Sequence, residues 1–412
     1  MSVPSPLLAG TDDDLARRFF DDLAPATVGI AASAAERDAQ RRYPTAEYDA
    51  LRQVGFWRLP VPAEYGGLGL DHDALVTAVI EVAAADGSLG QIPQNHFSTL
   101  ERLRLQGSPA QQARIYAKVG AGAVLGNASA EPRERPPGEA ETRVTLSANG
   151  YRLTGRKVYS TGALLADLIA VQARDDGGEQ VFVLIDRHAP GVDVIDDWSG
   201  FGQRTTASGS AVLDDVPVET LDILRTGTDP RPRYRVSAHA QLLHCAIDTG
   251  IAEGALRAAV RLAGHVHGGR GSHATDFADD TLGVARLGEL WIAVEGARAL
   301  VQRSAQRLDA LTAASPLEDV LAAFYGVAAA KSVSTDAALT VTSALIDIGG
   351  ASSTHTALSL DRHWRDARTH TVHDSVRWKP YAIGRRLISG DVADAWSYAH
   401  PFTPYDRLEV LR

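Results

Sequence analysis

Two histidines three residues apart, His370 and His373, close a segment dense in ionisable side chains (DRHWRDARTHTVHD, 361–374). If that segment is helical, the i, i+3 spacing puts both imidazoles on one side. Imidazole titrates near neutrality, so such a pair can orient and exchange protons with a substrate or a reduced cofactor. A pair of satisfied structural histidines would look the same in sequence. A metal centre here would need a third ligand, and His-x-x-x-His with a Glu is absent, so no metal is expected. A second stretch, WSGFGQRTTASG (198–209), joins an aromatic plane, glycines, one guanidinium and four hydroxyls. It can stack on a ring system and donate hydrogen bonds, or serve as a decorated connector. His96, beside Asn95 at a helix start, is either a cap or a pocket residue. The glycine-rich Gly66-Gly67-Leu68-Gly69 lacks a surrounding strand–turn–helix unit, which favours a structural turn over a dinucleotide fingerprint.

The elements that must position these residues fall into three blocks. The first is helical. Thr11 followed by three acids marks a helix start, Leu15, Phe19, Leu23 and Ile30 continue it, and Pro25 is expected to break or restart it. Further helices are expected at 45–54, 72–85 and 97–105, with Ser108-Pro109 opening another. The pattern then changes to short strands: 143–147 and 151–154 flank Asn149-Gly150, and 168–173 and 180–185 flank an Asp-Asp-Gly-Gly turn. Segments 192–195 and 210–213 complete a compact β-domain, a sandwich or a barrel. After a linker at 225–235, long helical segments near 236–266, 280–312, 317–347 and 375–398 predict a four-helix bundle.

Composition narrows the function. The chain has 412 residues with 41 Lys+Arg against 51 Asp+Glu, a formal net charge of −10. That argues against nucleic-acid and anionic-membrane partners, which need a basic surface. No run of 18 apolar residues and no secretory leader is visible, so a cytoplasmic protein is expected. One Cys and one Met, the initiator, exclude an intrachain disulfide and a cysteine-based metal site. Drift toward Leu and Ala, or selection to spend little sulfur, would produce such a composition.

The α–β–α order, PAEYGGLG (62–69) and GRKVYSTG (155–162) resemble the acyl-CoA dehydrogenase superfamily over nearly the whole chain. GSLGQIPQNHF (87–97), 198–209 and 361–374 resemble its flavin-dependent monooxygenase branch, typified by dibenzothiophene monooxygenase and by oxidoreductases of sulfur acquisition. The resemblance implies an N-terminal α-helical domain (1–120), a central β-barrel or sandwich domain (121–228) and a C-terminal four-helix bundle (229–412), usually in a homotetramer. It also implies FMN, reduced by a separate NAD(P)H-dependent flavin reductase, with O2 and a small organosulfur substrate. Carried over residue by residue, Asn127, Ser129, Tyr159, Thr161 and Trp198 would meet the flavin. Arg270 would meet its phosphate from a neighbouring subunit, and Gly349 and Gly350 match a family Gly-Gly pair. His96, Thr161 and Trp198 would line the substrate side, and His370, His373 and Asn127 would do the chemistry.

Two departures separate the chain from the dehydrogenases proper. The segment that carries their Glu base reads Val372-His373-Asp374-Ser375. Ile346 stands where a Gln of theirs helps to hold the adenosine half of FAD, which fits FMN while leaving FAD possible. The alternatives are an FAD-dependent acyl-CoA dehydrogenase, a non-catalytic flavin-binding scaffold, and the same oxygenase chemistry on nitrogen or an aromatic ring.

Overall fold

In the computed structural model, which describes residues 13–132, 141–265 and 273–390, the chain opens on α1 (Asp13–Gln40). Its buried residues Ala16, Phe19, Leu23, Ile30 and Ala34 form one stripe. The helix runs through Pro25 without the expected break. Proline has no N–H to give, so one rung is lost. The continuous apolar stripe on either side holds the two halves in one helix, since packing outweighs local propensity.

Next come α2 (Thr45–Gln53), α3 (His72–Ala85), α4 (Gly87–Gln91), α5 (Pro93–Gln106) and α6 (Pro109–Gly120). Their starts follow sequence chemistry. Asp71 accepts the Ala74 N–H, Asp86 accepts those of Ser88 and Leu89, and Ser108 forms a capping box with Gln111. The 66–69 glycines form a structural turn. A Cβ on Gly67 would stand 1.9 Å from the Val61 carbonyl oxygen, so only glycine fits there.

The strands are β1 (Leu125–Ala128), β2 (Arg143–Ser147), β3 (Gly150–Lys157), β4 (Leu168–Arg174), β5 (Gln180–Asp186), β6 (Val192–Ile195), β7 (Ser210–Val218) and β8 (Ile223–Arg225). They make one connected sheet in the order β6-β7-β3-β2-β4-β5-β8, with β1 parallel on β4. Both expected hairpins are present: β2 pairs with β3 with Ser147 opposite Gly150, so the turn is Ala148-Asn149, one residue earlier than the sequence suggests, and β4 pairs with β5 across the Asp-Asp-Gly-Gly turn. Val144, Leu153, Ile169, Val171, Val183 and Val216 belong to a core of this sheet's own, distinct from the core of the helices.

The last block holds three long helices, α7 (Pro230–Ala263), α8 (Thr281–Asp309) and α9 (Leu317–Gly349). The shorter α10 (Asp361–Thr371) and α11 (Trp378–Ser389) follow; α11 lies within the fourth helix expected at 375–398, of which residues 391–398 fall outside the described residues. α11 ends at Gly390, whose φ of 64° leaves the helical region. α7 is the central member and packs against α3, α8 and α9.

Candidate active site

Three helices converge on a buried polar cluster. α7 contributes His244 and Asp248, one turn apart; α9 contributes Lys331 and Thr335, again one turn apart; α10 contributes His370, with His373 just past its end. Asp248 Oδ1 lies 2.5 Å from His370 Nδ1, and Oδ2 accepts from Lys331 Nζ at 2.6 Å and Thr335 Oγ1 at 2.9 Å. His370 Nε2 lies 3.0 Å from His244 Nδ1. The rings of His244 and His373 lie 4.2 Å apart between centroids, tilted by 35°.

These contacts fix tautomers. Burial opposes the charge on Asp248, but Lys331 and His370 outweigh it and hold the carboxyl well below the usual range. An ionised Asp248 takes the Nδ1–H of His370. Burial lowers the pKa of His370 despite Asp248, so its Nε2 is an acceptor and His244 Nδ1 must donate to it. Burial, with His373 and His370 nearby, pushes His244 well down. The result is a neutral His244 whose Nε2 keeps a lone pair, backed by His370 and an ionised carboxylate. His373 differs. Surrounding protein lowers its pKa to about 4, with His370 adding to the effect, yet the ring remains exposed at the edge of the cluster, where solvent moderates the shift.

A second group of predicted residues meets on the β-domain. The Asn127 N–H donates to the Thr161 carbonyl at 3.1 Å, and Asn127 Nδ2 to that of Tyr159 at 3.3 Å. Ser129 Oγ donates to Asn127 Oδ1 at 2.7 Å. Thr161 Oγ1 pairs with Ser208 Oγ at 2.8 Å, which in turn pairs with Thr206 Oγ1 at 2.7 Å. Tyr159, at φ 53° and 61% exposed, faces Trp198 edge to face at 6.1 Å. An exposed aromatic corner beside a row of amide and hydroxyl groups fits a planar heteroaromatic ring with polar edges, as a flavin has.

α10 ties the loop at 198–209 to the histidines. Asp366, one turn before His370, accepts the Gln203 N–H at 2.5 Å. Burial, with Asp86 and Asp38 adding to it, pushes the Asp366 carboxyl up to about 8. Trp198 Nε1 donates to the Gln203 carbonyl at 2.8 Å, and Phe201 stacks on Trp364. A Cβ on Gly202 would come 2.0 Å from the Arg365 carbonyl, so the close approach of loop to helix requires glycine.

The other sequence candidates lie elsewhere. The pocket role expected for His96 does not match its surroundings. The ring is fully buried, Nε2 meets the Trp57 carbonyl at 2.6 Å, and Nδ1 accepts the Leu125 N–H at 3.1 Å. Both nitrogens are used, so His96 joins the N-terminal helices to β1 and has no valence for a substrate. Gly349 and Gly350 close α9. At 1.5 Å per residue they stand about 20 Å along that helix from Thr335, so the structure does not bring them to the histidines. Arg270 lies outside the described residues. Asp374 is buried and paired with Lys379 at 2.6 Å, so it is no free base. Sequence reasoning missed His244, Asp248 and Lys331. A lysine inside an Ala- and Val-rich helix was the available signal, because a buried ammonium requires a partner.

Family models described as the N-terminal, middle and C-terminal domains of acyl-CoA dehydrogenase match residues 14–123, 131–216 and 242–378. A dibenzothiophene monooxygenase from Rhodococcus qingshengii is 32% identical, over 87% of this chain and 90% of its own length. The probable FMNH2-dependent monooxygenase SfnC of Pseudomonas putida is 31% identical, over 87% and 92%. Among solved structures, TdsC from Paenibacillus sp. A11-2 with FMN and indole has a TM-score of 0.85 at 30% identity, covering 91% of this chain and 98% of its own. The methanesulfinate monooxygenase MsuC of Pseudomonas fluorescens has a TM-score of 0.82 at 30% identity, covering 95% and 98%.

Proposed function

The chain belongs to the acyl-CoA dehydrogenase family, and we propose that it works there as an FMN-dependent monooxygenase of a small organosulfur compound. The relatives' organosulfur substrates and their reduced FMN support this reading. A separate NAD(P)H-dependent flavin reductase would supply the reduced cofactor. Within this chain, one observation carries the proposal. In the segment that matches the one carrying a dehydrogenase's Glu base, Asp374 is locked to Lys379, and its neighbour His373 packs against the Asp248–His370–His244 chain. A neutral histidine whose Nε2 keeps a lone pair, backed through His370 by a carboxylate, can accept a proton and pass it along the chain.

Trp198 and Tyr159 would flank the flavin ring, and Asn127, Ser129, Thr161 and Ser208 would meet its polar edge. Bound reduced flavin supplies activation of O2. The chain's own residues do the rest. The bundle keeps His244, His370 and Asp248 buried away from water, which would protect reactive species formed beside them. His244 Nε2 would hold or take a proton, His370 would relay it and Asp248 would stabilise the charge; His373, packed against His244 and exposed, would face incoming substrate.

We also propose a homotetramer. Val284 and Trp291 are exposed seven residues apart on one face of α8, with Leu282 and Ile292 exposed nearby. Large exposed apolar side chains in one region fit a surface covered by another copy. No described helix is long and apolar enough to cross a membrane.

The test is product analysis. Purified chain, FMN, a flavin reductase, NADH and O2 are incubated with a panel of sulfides, sulfinates and thiophenes, and products are read by mass spectrometry. Oxygen from 18O2 should appear in at least one product. Absence of oxygenated product across the panel, with dye-coupled oxidation of an acyl-CoA, would establish the dehydrogenase reading instead.

A further inference from the structure

We propose that His72, Glu101 and His239 form a binding site for a divalent metal ion of the zinc class, between the N-terminal helices and the bundle. The site is separate from the histidine cluster above. His239 and His244 share α7, but five residues turn the helix by about 140° and advance it about 7.5 Å, so the two side chains leave on different faces. His72 is the first residue of α3, Glu101 lies in α5, and Asp309 ends α8.

The ligand atoms of His72, Glu101 and His239 all lie within 4.8 Å of one another. His72 Nδ1 pairs with Asp309, whose Oδ1 also accepts the His72 backbone N–H at 3.0 Å. That leaves His72 Nε2 facing Glu101 Oε1 at 3.8 Å. The gap is too long for a hydrogen bond. Two ligands about 2.1 Å from one tetrahedral ion stand about 3.4 Å apart, so the gap is near the spacing of co-ligands. A carboxylate behind a histidine, holding its ring and tautomer, is the usual support for a metal-binding imidazole, and Asp309 stands in that place.

His239 is the independent observation. Its side chain is 3% exposed, and neither ring nitrogen has a hydrogen-bond partner. Buried polar atoms are rarely left so, and a metal ion would use one of them. Glu101 is held by Arg104 through two contacts of 2.7 Å. A carboxylate offers about four lone-pair positions, so capacity remains for an ion. A cavity of about 240 Å³ adjoins all three residues and has room for water as a fourth ligand. Glu101 and Asp309 are acidic and Arg104 and Arg235 basic; burial opposes charge on His72, but Asp309 and Glu101 outweigh it and raise the ring to about 9, so a metal ion would displace a proton there. Two histidines, one glutamate and a water form a known zinc set. The ion would staple α3 and α5 to α7, joining the two helical blocks in the folded state only.

Untagged protein is loaded with Zn2+, passed through gel filtration and analysed by plasma mass spectrometry; Co2+ serves as a visible-absorption probe. Near-stoichiometric zinc and tetrahedral Co2+ bands are expected, together with a higher melting temperature than after chelation. His239→Gln should abolish both signals while FMN binding persists. Asp309→Asn should weaken zinc binding about 10–100-fold. If the parent protein takes up neither ion, the proposal fails. It also fails if uptake survives His239→Gln and disappears in His244→Gln, which would place the ion at the other cluster. Should His239→Gln not fold, an unchanged zinc affinity in Asp309→Asn overturns the proposal by itself.

Discussion

At the scale of single residues, the Asp248–His370–His244 chain makes distinct predictions for each member. His244→Gln removes the terminal acceptor and leaves the buried pair Asp248–Lys331 intact. Coupled oxygenation should fall about 10²–10⁴-fold, the usual contribution of a positioned acid or base, with reduced flavin lost as hydrogen peroxide and little change in melting temperature. Asp248→Asn should behave otherwise. It leaves the Lys331 ammonium, 1% exposed, without its counter-charge, a loss of about 3–5 kcal/mol for a broken buried pair. Denaturant melts and product yield, read side by side, separate the two. Equal stability losses in both variants would reduce His244 to a packing residue. His373→Ala, at the exposed edge, should lower product yield and raise the peroxide leak without affecting the fold; a variant with the parent's yield and leak would remove His373 from the chemistry.

At the scale of elements, α10 does two jobs, carrying His370 at one end and anchoring the 198–209 loop through Asp366 in its middle. Asp366→Ala orphans the buried Gln203 N–H, a cost of about 1–3 kcal/mol, and frees the loop that presents Trp198. FMN should bind more weakly to Asp366→Ala and to Trp198→Ala, measured by quenching of flavin fluorescence. Parent affinity in both would show that the loop does not hold the flavin. This coupling also marks what the sequence could reveal. The hairpins were legible because Asn149-Gly150 and the Asp-Asp-Gly-Gly turn act through neighbouring residues. The loop motif and the His370/His373 pair stand out in the sequence as local chemistry, but His373 lies past the end of α10 and not on its face. The relay was not legible, because His370 finds Asp248 122 positions away and Lys331 finds it 83 away. Pro25 misled for the complementary reason: a local breaker was overridden by a stripe packed on distant helices.

At the scale of the whole molecule, the blocks are joined through buried polar contacts, and one of them should make the assembly acid-sensitive. His96 receives the Leu125 N–H from β1 and meets the Trp57 carbonyl of the N-terminal helices, so it acts only as a neutral ring protonated at Nε2. Burial pushes its pKa down to about 4, with the Trp57 carbonyl opposing the shift only in part. The sign follows from linkage. The unfolded chain takes up a proton at this ring below about pH 6.5, while the folded chain resists until about pH 4, so stability rises with pH across that window and is lost as pH falls through it. At pH 5 this single group should lower stability by about 2 kcal/mol relative to pH 8. His96→Gln offers a donor and an acceptor of similar reach but no titration. Urea melts from pH 8 to 5 should therefore show a shallower acid limb for His96→Gln than for the parent, by close to one proton in slope, even if the variant starts less stable at pH 8. Parallel curves for the two proteins would mean that His96 titrates alike in both states, and that the junction between the helices and the sheet is open to water.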